Sequence, residues 1–189
     1  MLKAEIRKHY KAKRAQLSPY DLTKISAQVH ALVLDSIPFT SKYVSIFLPI
    51  ERQNEISTYG LLEDIILKGG HPILSKANFT DYTLALFHYE HTSQLEINSF
   101  GIPEPKHGRT ILAQKLDYVF VPLLGLNSDG HRVGYGKGFY DRLLKQCKPD
   151  CLFIGLHLFD EFIPIDDLNP DDMPLHLCFT PGGVYDFRK

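Results

Sequence analysis

The chain is 189 residues long, carries a formal net charge of −1, and 44% of its residues are hydrophobic. That length fits a single domain over 1–189 with a sizeable core, and the near balance of charge argues against a broad nucleic-acid footprint. No apolar run reaches the roughly 18 residues of a membrane span, so no membrane partner is expected.

The N-terminal segment from Leu2 to Leu17 reads as a helix, with Leu2, Ile6 and Tyr10 four apart. Its charges are Lys3, Arg7, Lys8, Lys11, Lys13 and Arg14. They form either a solvated basic face or a surface that lends one or two cations to a phosphate. Ser18-Pro19-Tyr20-Asp21 reads as a second helix start: Ser18 caps, Pro19 suits the first turn, and Asp21 complements the positive end. Ile25, Val29, Leu32 and Val33 give that helix an apolar face, and Pro38 lies past its end.

Tyr43 to Leu48 reads as a strand ending at Pro49, followed by a polar loop to Glu55. A helix with Leu61, Leu62, Ile65 and Ile66 inward stops at Gly69-Gly70, and His71 to Leu74 reads as a second strand. This is a βαβ unit, which implies a parallel sheet with binding sites beyond the carboxyl ends of its strands. Glu55, near a helix start, either complements the dipole or binds a ligand. Tyr82 to Tyr89 alternates as a strand does. His88 and His91 read as surface histidines, and Thr92 to Arg109 as loop. Within that loop, Phe100 and Ile102 either wall an aromatic ligand or fill the core edge.

Asp117 to Pro122 reads as a strand and Phe139 to Leu144 as a helix start. Between them runs Gly134-Tyr135-Gly136-Lys137-Gly138, with glycine at alternate positions and Arg132 just before it. Glycines let successive N–H groups form an anion nest, and a helix N-terminus beyond it completes a phosphate-site layout. The spacing is neither that of the P-loop nor that of the dinucleotide fingerprint. Asp141 lies in the first turn of the helix, either as a dipole complement or within reach of a metal on a bound phosphate. Leu152 to Leu156 is a further strand, and the acidic residues from Asp160 to Asp172 read mostly as solvated loop charges. Cys147, Cys151 and Cys178 lack disulfide-framework and zinc spacing and read as reduced thiols. With no signal-peptide core after Met1, a cytoplasmic location is expected.

The run Val121-Pro122 through Asp129-Gly130-His131-Arg132-Val133-Gly134-Tyr135-Gly136-Lys137-Gly138-Phe139-Tyr140-Asp141-Arg142 resembles the signature of the 5-formyltetrahydrofolate cyclo-ligase family. Further similarities are Lys3-Ala4-Glu5-Ile6-Arg7, Asn54-Glu55-Ile56-Ser57-Thr58, Phe100-Gly101-Ile102-Pro103-Glu104-Pro105, and the ending Asp172-Met173-Pro174-Leu175-His176 to Thr180. The chain departs from the family pattern at Phe139 for Tyr, at Leu123 to Asn127, at His176 for Asp, and in a longer loop between Leu48 and Glu55.

The resemblance implies an α/β domain, its mostly parallel central sheet flanked by helices, of the ribose-phosphate isomerase and CoA-transferase type. It implies an ATP-dependent ligase of folate one-carbon metabolism that cyclises 5-formyltetrahydrofolate to 5,10-methenyltetrahydrofolate, with Mg²⁺ as cofactor. In that reading Arg132 and Lys137 are catalytic, and Lys3, Arg7, Arg132, Gly134, Tyr135, Gly136, Lys137, Gly138, Phe139 and Tyr140 bind ATP. Leu48, Glu55, Tyr135 and Phe139 bind the folate, Glu55 taking the pterin edge, and Asp141 and Asp172 hold the metal. Asp171 is the neighbour that competes with Asp172 for this assignment. A monomer or small homo-oligomer is expected. The rivals are a non-catalytic nucleotide- or folate-binding paralogue and a sugar-phosphate isomerase of the same architecture, which would consume no ATP.

Overall fold

A computed structural model describes residues 1–188. In chain order the helices and strands are α1 (Lys3–Ala15), α2 (Pro19–Ser36), β1 (Tyr43–Ser45), α3 (Tyr59–Leu67), β2 (His71–Asn78), β3 (Thr83–His88), β4 (Leu95–Ile97), β5 (Pro103–Pro105), β6 (Tyr118–Pro122), β7 (Gly125–Leu126), β8 (Arg132–Val133), α4 (Phe139–Leu144), β9 (Leu152–Leu156), β10 (Leu177–Thr180) and β11 (Gly183–Asp186). Seven strands form one sheet in the order β11-β10-β9-β6-β1-β2-β3. The five inner strands are mutually parallel, while β3 and β11 close the edges antiparallel. The expected mostly parallel sheet flanked by helices is what the chain builds.

Period-two alternation sorts the inner strands into two faces. Val44, Ile46, Leu74, Phe120, Ile154 and Phe179 point one way and pack with Val29 and Val33 of α2 and Leu61 and Ile65 of α3. Ile73, Val119, Val121, Phe153 and Cys178 point the other way and meet Leu143 and Leu144 of α4. A smaller cluster joins Ile6 and Tyr10 of α1 to Leu124, Val133 and Ile165, which docks α1 beside the end of β6. Of the apolar stripe read on α1, Leu2 stays exposed.

Several boundaries differ from the sequence reading. β1 pairs only over Tyr43–Ser45, although Ile46 N–H still donates to Ile73 O at 3.0 Å. Beyond it the Phe47 carbonyl accepts from the Thr58 hydroxyl and Pro49 has no N–H, so the backbone leaves the ladder. β2 runs on to Asn78 through the polar Ser75-Lys76-Ala77-Asn78, held by its antiparallel partner β3. The segment read as loop from Thr92 to Arg109 carries the β4–β5 pair. His88 is not a surface side chain: its ring lies 5.6 Å from His71 and 6.3 Å from Tyr43, half-buried, and burial lowers its pKa. The acidic residues after β9 include paired ones: Glu161 with Lys13 at 2.7 Å, and Asp160 accepting from Tyr185.

His157, at the carboxyl end of β9, is buried among Tyr10 and Phe159. Its Nε2 lies 3.0 Å from Leu124 O, and its Nδ1 lies 3.0 Å from Phe159 N and 2.6 Å from Phe159 O. Burial lowers its pKa to about 4. A depressed folded pKa means that the unfolded chain takes the proton first, so stability present above pH ~6.5 is lost as pH falls toward 4. Thermal melts are expected to lose about 2 kcal/mol between pH 7 and 5 from this group. His157→Gln should remove that part of the acid sensitivity; an unchanged pH dependence in the variant would exclude it.

Candidate active site

The glycine stretch does not follow β6 directly. A small β7–β8 hairpin intervenes, its turn held by Asn127 Oδ1, which accepts from Asp129 N and His131 N at 3.0 and 2.8 Å. The hairpin carries Arg132 and delivers the chain to the carboxyl edge of the sheet. Of the three glycines only Gly136 and Gly138 have positive φ, 92° and 70°. A Cβ on Gly136 would stand 3.0 Å from the Arg7 guanidinium. The loop therefore closes against α1, where Arg7 Nε donates to Gly134 O at 2.9 Å.

Every residue expected at the site lines one cleft of about 600 Å³. Lys3 and Arg7 come from α1, Leu48 and Glu55 from the loop after β1, and Arg132 from β8. Gly134 to Gly138 form the loop itself. Phe139, Tyr140 and Asp141 open α4, and Asp172 precedes β10. Asp171 also reaches the wall, paired with Lys145. His176 lies elsewhere: its Nδ1 accepts from Phe153 N at 2.9 Å and its ring stacks on Phe153. The residue standing where the family has an Asp thus serves the sheet.

Glu55 is 4% exposed, yet it does not cap α3. Its Oε2 accepts the Ile50 N–H at 2.7 Å and its Oε1 accepts the Tyr135 hydroxyl. Each oxygen has two lone pairs, so one acceptor position on each remains for a ligand in the cleft. Burial raises the pKa of this carboxyl, against the lowering effects of Tyr135, the Ile50 N–H and Arg14. The Tyr135 hydroxyl is raised by burial and by the facing Glu55 charge. Arg14, one charge of the basic run on α1, lies behind this pair, 3% exposed. Its spacing from Lys3 and Arg7, i, i+4 and i+11, puts all three on one helical face, a signal the sequence did carry.

At the other end of the cleft the cations gather. Arg132 Nη2 donates to Asp141 Oδ1 at 2.8 Å, and Lys3 Nζ pairs with Asp172. Asp141 Oδ1 also accepts from Met173 N, and Asp172 Oδ2 from Asn169 N. The second oxygen of each carboxylate has no protein donor among the described residues. Carboxylate oxygens are the donor type a hard cation takes, and here each carboxylate is already paired with a cation, Asp141 with Arg132 and Asp172 with Lys3. Among the described residues no three His, Cys, Asp or Glu side chains cluster as a metal cage. Cys147, Cys151 and Cys178 are free thiols. The cleft wall between the two ends is aromatic and apolar. Phe139 meets Phe79 and Tyr82 edge-on at 5.4 and 5.7 Å, Phe79 packs tilted against Phe100 at 4.4 Å, and Ile102 lines the cavity. Ile102 therefore belongs to the wall of the site, while Phe100, 47% exposed, only backs it through its contact with Phe79.

Comparison with known proteins places this geometry. The sequence pattern of the 5-formyltetrahydrofolate cyclo-ligase family matches residues 1–181. The Escherichia coli K12 protein named 5-formyltetrahydrofolate cyclo-ligase is 27% identical over 93% of this chain and 98% of its own length. The mouse protein of that name is 31% identical, but over only 57% of this chain and 55% of its own length. The solution structure of Aquifex aeolicus 5,10-methenyltetrahydrofolate synthetase superposes with a TM-score of 0.81 and 31% identity, covering 100% of this chain and 94% of that one. With the pattern running through nearly the whole chain and the same fold in a relative, this chain belongs to the 5-formyltetrahydrofolate cyclo-ligase family.

Proposed function

We propose that the chain is a 5-formyltetrahydrofolate cyclo-ligase that uses ATP to form 5,10-methenyltetrahydrofolate, ADP and phosphate. One observation carries the reading to this cleft: a buried acceptor carboxylate, held by Tyr135 of a cationic glycine loop, shares one cavity with that loop and with an aromatic wall. A reduced pterin presents a paired N–H edge, for which a carboxylate with a free acceptor site on each oxygen is the complement. The nest amides, Arg7, Arg132 and Lys137 suit the ATP phosphates.

In the reaction the formyl oxygen attacks the γ-phosphorus, the bond to the β-phosphate oxygen breaks, and ADP leaves. The neighbouring substrate nitrogen then bonds to the activated carbon, loses its proton, and phosphate departs with the former formyl oxygen. Such chemistry asks for positioning and charge neutralisation more than for a protein nucleophile. Here Lys137 and Arg132 face the transferring charge, Glu55 and Tyr135 orient the pterin, and the aromatic wall excludes water. Mg²⁺, when bound, neutralises phosphate charge, and Asp141 and Asp172 are the residues that would hold it. A non-catalytic paralogue would be expected to lose these cations or carboxylates, and this cleft retains them. The test is growth of the methenyl product's absorbance on mixing protein, 5-formyltetrahydrofolate, ATP and Mg²⁺; no product, or product without ATP, refutes the reading.

The metal assignment has its own test. Asp141→Asn and Asp172→Asn should each raise the Mg²⁺ concentration for half-maximal rate and weaken Mn²⁺ binding, measured by water-proton relaxation in the presence of ATP. Asp171, paired with Lys145 at the rim, should tolerate the same change. A shift in melting temperature with unchanged metal dependence would return Asp141 to the role of dipole complement, worth ~0.3–1 kcal/mol.

A further inference from the structure

We propose that Arg14, which lies outside the cleft, is a positioning residue that keeps Glu55 an oriented anion through Tyr135. The inference rests on the reading of Glu55 as the pterin acceptor. Arg14 ends α1 with its side chain 4% exposed, and arginine is almost never buried this deeply without a partner that uses its charge. Its Nη2 donates to Leu123 O at 2.5 Å, which fixes the guanidinium plane. Its Nη1 donates to the Tyr135 hydroxyl oxygen at 3.3 Å and stands 3.9 Å from Glu55 Oε1. The Tyr135 hydroxyl in turn donates to that same oxygen. The result is a relay, cation to phenol to carboxylate, in which each bond polarises the next.

Two further features separate this from ordinary packing. The Arg14 Nε is buried with no partner, a cost that a neutral side chain of similar volume would avoid. The backbone around the pair is clamped as well: Asn54, in the left-handed region at φ 45°, donates from Nδ2 to Arg14 O at 2.8 Å. The end of α1 therefore holds the residue before Glu55 while its guanidinium faces the Glu55 carboxylate. Among the described residues the titratable groups facing Glu55 are Arg14 from α1, Tyr135 from the glycine loop and Tyr140 from α4; its own loop adds the Ile50 N–H. Arg14 is the only cation of this set. A carboxylate buried in a largely apolar cleft needs such a charge to stay ionised, and only the ionised form offers both oxygens as acceptors without an O–H of its own turned against the ligand's donors.

The test separates charge from orientation. Arg14→Gln keeps a donor for Leu123 O and removes the charge; Arg14→Lys keeps the charge and loses the fork that reaches Tyr135. The Glu55 carboxyl is followed by carbon NMR with labelled glutamate, its resonance assigned with Glu55→Gln. In Arg14→Gln its titration should move up by about one pH unit or more. The KM for 5-formyltetrahydrofolate should rise over the parent's as pH falls, reaching ~10-fold below the parent's Glu55 titration, where a one-unit shift lowers the ionised fraction tenfold, with the ATP KM unchanged. In Arg14→Lys the titration should stay near that of the parent while the folate KM still rises, and this arm stands alone if Arg14→Gln does not fold. An unmoved Glu55 titration in Arg14→Gln, a parental folate KM in Arg14→Lys, or folate and ATP KM values rising together overturns the proposal. A shifted titration with an unchanged folate KM would uphold Arg14 and instead refute Glu55 as the pterin acceptor.

Discussion

Lys137→Ala is expected to lower turnover by ~10²-fold or more, the scale of losing one preorganised electrostatic stabiliser. Lys137 differs from Lys3 and Arg132, the two cleft cations held by carboxylates. Lys3 is engaged by Asp172 and Arg132 by Asp141, whereas Lys137 has no carboxylate partner among the described residues. Its ammonium sits exposed, 5.6 Å above the Tyr82 ring, a contact weak enough to give up for a phosphate. The backbone beneath is fixed, since Arg142 Nη1 donates to Lys137 O at 3.0 Å and the flanking glycines hold the turn. The substitution therefore removes charge without disturbing the loop, and melting should be unchanged. In its proposed role Lys137 faces charge that develops during phosphoryl transfer, so the loss of the ammonium should lower kcat with little change in folate KM. Parental turnover in a folded Lys137→Ala variant would remove Lys137 from the mechanism.

The second large effect belongs to Glu55→Gln. The amide keeps the shape but has one acceptor oxygen, which the Tyr135 hydroxyl or a ligand can use, and it brings an N–H₂ against the donors of Ile50 and the pterin. Losing a charge-assisted pair of this kind costs about 2–3 kcal/mol, so folate KM should rise ~30-fold or more while ATP KM holds. A loss of ATP affinity instead would put Glu55 in the other half of the cleft. A pH signature accompanies this. Burial raises the Glu55 pKa above the ordinary carboxylate value, so the charged acceptor is present above that raised value and is lost as pH falls through it. Folate KM of the parent protein should climb in that direction, and in Glu55→Gln the climb should vanish.

The sheet was legible wherever a strand is apolar on both faces or a helix is amphipathic. Val119, Phe120 and Val121, or Val29 and Val33, announce their burial by periodicity alone. The strands that escaped reading are those made by their partners. Ser75 to Asn78 looks polar and becomes strand only because β3 lies beside it. The two-residue β7 and β8 are too short for any pattern. Leu177 to Thr180 and Gly183 to Asp186 are a hairpin whose four-residue arms sit between proline and glycine punctuation.

At the site, what the sequence determined by itself was local chemistry. Glycines at 136 and 138 permit the positive φ of an anion-binding turn, a helix start follows them, and a glutamate stands after a strand's carboxyl end. Those features act over a few residues, and so a few residues suffice to display them. The tertiary structure decided which charges matter. A lysine or arginine in a basic helix has the same local signature whether it meets water or a partner. Only the docking of Ile6 and Tyr10 against Leu124 and Val133 turns Lys3, Arg7 and Arg14 toward residues more than a hundred positions away. Burial then makes those charges strong, because the low-dielectric interior removes the screening that would have left them inert on a surface.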